Sequence, residues 1–151
     1  MPLLTKYGLK GAAGAALLAM LAACQPSAPA DPAKAEASAR AAQSRADPRI
    51  PGGIPIFLGR TGQITEFEIM DAGQGKIATY AVIAQPWDVR NFYEADGLAR
   101  GYEVIGRVNG GLFQSVDMRR LNGPAPRTFS AMAVHKGEYT NVTLNFDVTP
   151  P

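Results

Sequence analysis

The chain has 151 residues, a formal net charge of +2, one cysteine and one histidine. A single cysteine excludes an internal disulfide, and a single histidine excludes a histidine-rich metal site. The positive charge arises from Lys6 and Lys10: without them, 13 basic residues balance 13 acidic ones. Arg119, Arg120 and Arg127 are the only basic concentration, which is typical of a solvated strand face and turn. Nucleic-acid binding needs a larger basic surface, so we expect none.

The first 24 residues have the organisation of an export signal. Lys6 and Lys10 precede an uncharged run from 11 to 23 that is rich in Ala, Leu and Met and ends in small residues. A basic start, a short apolar region and a small-residue cleavage site are typical of a secretory signal peptide. The run of about 13 residues is shorter than the roughly 20 that cross a bilayer, which argues against a permanent transmembrane helix.

This segment ends in Leu21-Ala22-Ala23-Cys24. The sequence resembles the lipobox of bacterial lipoproteins at all four positions. The resemblance implies that Cys24 receives a diacylglyceryl group, that the signal peptide 1–23 is removed, and that the new amino terminus also carries a fatty acid such as palmitate. Several acyl chains on one residue hold a protein firmly at a membrane. The alternatives are cleavage without lipid or an uncleaved anchor.

Gln25 follows the predicted lipidated cysteine. In enteric members of the lipoprotein family, an Asp at this position retains the protein in the inner membrane. The glutamine therefore implies an anchor in the cell outer membrane, with the rest of the chain facing the periplasm.

Residues 24–50 form a candidate tether. They are rich in Ala, Pro, Ser and charged residues, lack aromatic residues, and contain one large aliphatic residue, Ile50. Such a composition buries too little apolar surface to offset the entropy lost on ordering. Residues 33–46 are Ala-rich enough to be partly helical, although a short helix carries a nucleation cost. A flexible tether is favoured, and it would let the domain reach away from the membrane.

Residues 51–151 have the composition of one small folded domain. Alternating apolar and polar residues predict six strands. These strands cover residues 64–70, 78–84, 102–108, 112–121, 129–135 and 141–148. A helix beginning at Pro86 and ending before Gly101 separates the second strand from the third, and hairpin-length turns connect the others. The sequence therefore predicts an α+β domain in the order ββαββββ, with an antiparallel sheet of five or six strands and one helix packed on one face.

The predicted core consists of apolar residues at inward-facing positions. It comprises Phe67, Ile69, Val82, Phe92, Val104, Val116, Met118, Val134, Leu144 and Phe146. In the helix, Val89, Phe92, Ala95 and Ala99 are expected on one face, with Tyr93 and Leu98 at its margins. Asp96 lies close to this face, so Asp96-Gly97 predicts a kink or an early end of the helix.

The helix carries a second resemblance. Asp88-Val89-x-x-Phe92-Tyr93, followed by Gly101-Tyr102, is similar to the D-V-x-x-F-Y-x-x-x-L-x-x-x-G-W/Y helix of small bacterial envelope proteins, many of them lipoproteins. In those proteins the helix is followed by a strand meander, so the resemblance implies a fold more than an activity. The present chain has Gly97 at the leucine position of the pattern.

Residues with catalytic potential are scattered. His135 shares a predicted strand face with Phe129, Ala131 and Ala133, and nothing in the spacing brings it to Ser115, Ser130 or Asp117, as nucleophilic catalysis requires. Glu66 and Glu68 share the polar face of the first predicted strand, where such pairs are more often solvated than catalytic. We therefore predict no enzyme activity, no catalytic residue, no metal site and no cofactor.

Three aromatic residues cluster around the predicted helix, namely Trp87, Tyr93 and Tyr102. Aromatic residues dominate binding hot spots, so these three are candidates for contacting a partner. We expect an adaptor or binding module whose partner is another envelope protein. The alternative is a domain that binds a small ligand or lipid in the groove between helix and sheet, which requires an apolar cavity at that interface.

Overall fold

The computed structural model describes residues 43–148. The predicted lipidation site Cys24, the signal peptide and the tether as far as residue 42 lie outside the described residues. The elements in chain order are β1 (Ser44–Arg45), a 3-10 turn (Pro51–Gly53), β2 (Ile56–Phe57), β3 (Ile64–Ala72), β4 (Gly75–Val82), α1 (Pro86–Ala99), β5 (Glu103–Asn109), β6 (Phe113–Arg119), β7 (Thr128–Lys136) and β8 (Tyr139–Asp147).

Six strands form an antiparallel sheet in the order β3-β4-β8-β7-β6-β5. The last strand, β8, pairs with both β4 and β7, so it joins the hairpin before the helix to the meander after it. The helix α1 packs on β5, β6 and β7. We name the sheet face beneath α1 the helix face and the opposite one the open face. The predicted α+β fold, with its strand–helix order and a single helix on an antiparallel sheet, is confirmed.

The segment before β3 completes the layer on the helix face. Its apolar side chains Ile50, Ile54, Ile56 and Phe57 are at most 4% exposed and belong to the core. β1 pairs with β2, and the amide of Leu58 donates to the carbonyl of Gln43. Residues 43–50, which the sequence analysis assigned to the tether, therefore contact the folded domain. Because residues 44 and 45 are a strand, the partial helix expected over 33–46 does not include them.

The predicted core is confirmed except at Val134. Val82, Phe92, Val116, Met118, Leu144 and Phe146 are buried, while Phe67, Ile69 and Val104 are partly buried and pack against them. In β7 the buried positions are Phe129, Ala131 and Ala133, so the alternation of the strand turns Val134 to the open face. The core also contains three tyrosines that were not among the predicted core residues, namely Tyr80, Tyr93 and Tyr102.

The helix continues through Asp96-Gly97, so the predicted kink or early end is wrong. Gly97 is buried against the sheet, and an added Cβ atom would lie 2.6 Å from Cε of Met118. Its missing side chain allows α1 to approach β6 closely, which explains why the helix tolerates a glycine here. Asp96 is tied to Arg100 by an ion pair of 2.6 Å.

The carboxyl end of α1 is closed as predicted. Gly101 has a φ of +80°, and the amides of Gly101 and Tyr102 donate to the carbonyls of Leu98 and Gly97. This is a Schellman motif, which requires the left-handed backbone conformation that glycine adopts without strain. Between residues 43 and 148, no helix has the length and apolarity needed to cross a bilayer.

Candidate functional site

Tyr93 is not at the margin of the helix but at the centre of its buried face. It is 0% exposed, and its hydroxyl lies 2.8 Å from that of Tyr80. The same oxygen accepts a hydrogen bond of 3.2 Å from the amide of Phe57. Burial raises the pKa of both phenols. Tyr93 therefore joins the helix, the sheet and the amino-terminal segment, and it offers no surface to a partner.

Tyr102 is also buried, at 4% exposure. Its hydroxyl donates to the carbonyl of Pro126 at 2.7 Å, and the Arg120 guanidinium lies 4.5 Å above its ring. Arg120 also donates to the carbonyl of Pro124 at 2.5 Å. These contacts hold the loop of residues 120–127 against the end of α1. Tyr102 thus has a role inside the domain, and Arg120 is engaged with it rather than with solvent.

Trp87 is the member of the predicted trio that lies on the surface. It is 47% exposed at the start of α1. With Asn91, Glu94 and Leu98 it occupies positions i, i+4, i+7 and i+11, which share one face of a helix. We name this set of four the outer ridge. Leu98, at its other end, is 53% exposed, so two large apolar side chains flank a polar centre.

A cleft borders the outer ridge where α1 faces the loop after β2. Its volume is about 400 Å³, and its base contains the rings of Phe57 and Phe92, whose centroids are 4.9 Å apart. Gln43, Arg60, Asp88 and Asn91 provide the polar side chains of its lining. We name this concavity the helix cleft. It combines an aromatic base with groups of both charges, a composition found in pockets that receive side chains of a partner.

Polar contacts fix the ridge on the edge of the sheet. Arg107 donates to both carboxylate oxygens of Glu94, at 2.6 and 2.9 Å, and this hydrogen bonding lowers the pKa of Glu94. Arg90 donates to the side chain of Asn91 at 2.7 Å and also to Asn109 of β5. The ridge residues Asn91 and Glu94 are therefore oriented before any partner binds.

The interface between helix and sheet is filled. Val89 and Tyr93 are 0% exposed, and the position of a Cβ at Gly97 is 3.2 Å from the ring of Phe129. The alternative function requires an apolar cavity at this interface, and these contacts leave little room for one. A concave region of about 600 Å³ lies on the open face of the sheet instead.

The residues considered for nucleophilic catalysis lie apart. His135 follows the buried positions of β7 and therefore faces the helix side, where its Nδ1 atom is buried without a hydrogen-bond partner in the described structure. Ser115 and Asp117 pair with Met132 and Ser130 across β6 and β7, on the open face. The sheet itself separates the histidine from these hydroxyl and carboxyl groups.

Glu66 and Glu68 are separated by an irregularity in β3. The register shifts between Thr65 and Glu68, and Glu66 has a φ of 56°, in the left-handed region. Both glutamates are exposed. This β-bulge lies on an edge strand, where such irregularities hinder pairing with other chains. Residues 43–148 also contain no group of three or more His, Cys, Asp or Glu side chains able to hold a metal ion.

Comparison of the chain with protein-family models, with curated proteins and with solved structures finds no match. Two features inferred from resemblance therefore stay predictions from the sequence. They are the lipobox at residues 21–24 and the envelope-protein helix at residues 88–102. The proposal for a binding function therefore depends on the geometry of the outer ridge and the helix cleft.

Proposed function

We propose that this chain is an envelope lipoprotein, anchored in the outer membrane through acyl chains on Cys24, whose periplasmic domain binds another envelope protein. The lipobox-like sequence at 21–24 and the tether-like composition that follows it support the anchoring. The domain supplies the binding surface. In this proposal the protein is an adaptor that holds its partner near the membrane and has no catalytic activity of its own.

The observation that carries the binding proposal is the exposure of Trp87 beside the helix cleft. A tryptophan that is 47% exposed leaves a large apolar surface in water, and burial of that surface by a partner is favourable. Tryptophan is also enriched among residues that dominate binding energy, especially next to a pocket. Asn91 is held by Arg90 and lines the cleft, so one rigid surface presents both an anchor and a recess.

Site-specific photocrosslinking in intact cells tests this surface. A photoreactive phenylalanine analogue placed at 87 is expected to give one discrete crosslinked protein. Tyr139, which is 41% exposed on β8, is the matched control because it is another exposed aromatic residue, and the alternation of β8 turns it to the open face, opposite α1. The proposal for the ridge is wrong if position 139 crosslinks the same protein equally well, or if position 87 gives no product.

The anchor is tested separately with Cys24→Ser. We expect this variant to lose incorporation of radiolabelled palmitate and to leave the membrane fraction. Crosslinking at position 87 should weaken in the same cells because the domain is no longer concentrated at the membrane. Palmitate incorporation that is absent from the unmodified chain, or that persists in Cys24→Ser, would refute the lipid anchor at Cys24. The proposal for the outer ridge depends on the crosslinking result alone.

A further inference from the structure

The open face carries a groove that the sequence analysis did not anticipate. Its volume is about 600 Å³, and its lining extends from Ala72 and Gly75, at the β3–β4 turn, to Ile105 on the opposite edge strand β5. These limits lie on the two edge strands of the six-stranded sheet, and its five spacings of about 4.8 Å correspond to about 24 Å. The groove therefore runs across the strands, and a ligand filling it must be elongated.

The floor of the groove is formed by short polar side chains. Asn145 of β8, Ser130 of β7 and Asp117 of β6 are in register, and Thr128 belongs to the neighbouring row. The amide of Asn145 donates to the hydroxyl of Ser130 at 3.4 Å. These groups offer hydrogen-bond acceptors and donors along the length of the groove. Its large lining residues Met118, Phe129 and Phe146 belong to the buried core on the helix face.

The ionisable residues that line the groove are all acidic. They are Asp117 and Asp147, and none of the described lining residues is Lys, Arg or His. Arg119, two positions after Asp117 on β6, is paired with Glu103 at 2.7 Å. Asp117 itself makes no ion pair within residues 43–148. A ligand with positive charge would therefore complement the groove.

A bulge in β5 shapes the end of the groove. The register of β5 and β6 shifts between Val104 and Gly106, which leaves Ile105 at the rim with 52% exposure. A Cβ atom added at Gly106 would lie 2.7 Å from Oδ2 of Asp117, so the absence of a side chain at this position makes room for the carboxylate. Bulges are known to redirect side chains beside binding sites. Here the bulge places an apolar contact next to the carboxylate.

We propose that this groove binds an extended cationic peptide segment, with a lysine or arginine at Asp117 and an apolar side chain against Ile105. An extended peptide of about seven residues matches the length of the groove at 3.3 Å per residue. This site lies on the face opposite α1 and is independent of the outer ridge. It is therefore a second binding site beyond the function proposed above.

Fluorescence anisotropy with the full-length chain in nonionic detergent tests the proposal. The probe is a fluorescein-labelled heptapeptide of alternating lysine and valine, and a glutamate–valine peptide of equal length is its counterpart. We expect only the lysine peptide to bind, with affinity that falls as salt is raised. Asp117→Asn should weaken binding about threefold, the usual scale for a partly exposed ion pair.

Glu138→Gln is the matched control. It removes the same charge from the exposed β7–β8 turn, about 23 Å along β8 from Asn145, the nearest residue of the groove on that strand. Its binding should equal that of the unmodified chain. Ser130→Lys, which adds a cation to the groove floor, should abolish binding of the lysine peptide, with circular dichroism verifying the fold of each variant. Equal binding of both peptides, no binding of the lysine peptide, or equal effects of Asp117→Asn and Glu138→Gln would overturn the proposal.

Discussion

The two buried tyrosines should contribute unequally to stability, although each would lose a single oxygen on mutation to phenylalanine. Tyr93→Phe leaves the amide of Phe57 and the hydroxyl of Tyr80 without their shared partner. An unsatisfied buried polar group costs about 1–3 kcal/mol, so we expect a loss of roughly 2–4 kcal/mol. Tyr80→Phe retains the bond between Tyr93 and Phe57 and removes the contact between the hydroxyls, together with a weaker contact of the Tyr80 hydroxyl with the backbone of Phe57. Its cost should be about 1 kcal/mol.

Urea unfolding monitored by circular dichroism measures this difference as a change in the free energy of unfolding. The rings are retained in both variants, so no large cavity contributes. The double variant should cost less than the sum of the two single changes, because both remove the bond between the hydroxyls. A cost for Tyr80→Phe equal to or above that for Tyr93→Phe would refute the assigned hydrogen-bond network.

Two further predictions concern α1. Gly97→Leu introduces the leucine of the envelope-protein pattern, yet it should destabilise the domain by about 2 kcal/mol. The added Cβ atom would lie 2.6 Å from Cε of Met118, and overpacking outweighs the gain in helix propensity. A Tm above that of the unmodified chain would contradict this prediction. Glu94→Gln should flatten the acid side of the stability profile. The hydrogen bonds from Arg107 lower the pKa of Glu94 from its usual 4.5. The ionised Glu94 side chain therefore contributes fully to the free energy of unfolding above pH 4.5, and this contribution is lost as the pH falls through the lowered pKa. Urea unfolding at pH 6 and pH 3 measures the loss, and an equal loss of stability in Glu94→Gln and the unmodified chain would contradict the prediction.

The fold was predictable because its strands follow simple rules. β8 alternates buried and half-buried positions without interruption, so its apolar residues reveal the buried face directly. Gly101 and the Asn109-Gly110-Gly111 turn likewise mark their boundaries through local backbone chemistry. The prediction that Val134 belongs to the core is wrong because β7 buries Ala131 and Ala133 on its inner face. Alanine is less apolar than valine, so the sequence pattern favours the face that carries Val134.

The amino-terminal part of the core was harder to foresee. Ile50, Ile54 and Ile56 are interrupted by Pro51, Pro55 and two glycines, so they match neither a helical nor a strand period. Their burial depends on the core that they share with residues distant in the sequence, such as Val82 and Val89, which no local pattern encodes. The bulges of β3 and β5 were missed for the same reason, since a register shift becomes visible only when both strands are paired.

The candidate sites illustrate the same limit. Exposure separates Trp87 from Tyr93 and Tyr102, although all three have the same aromatic character in the sequence. The angular position of each residue around α1 determines its exposure. Tyr93 lies between Val89 and Gly97 on the buried side of the helix, whereas Trp87 lies on the exposed side with Leu98. Gly97 fits this rotation of the helix, because an added Cβ atom there would lie 2.6 Å from Cε of Met118. The glycine that departs from the envelope-protein pattern therefore lies on the side of the helix that buries Tyr93, while Trp87 lies on the exposed one.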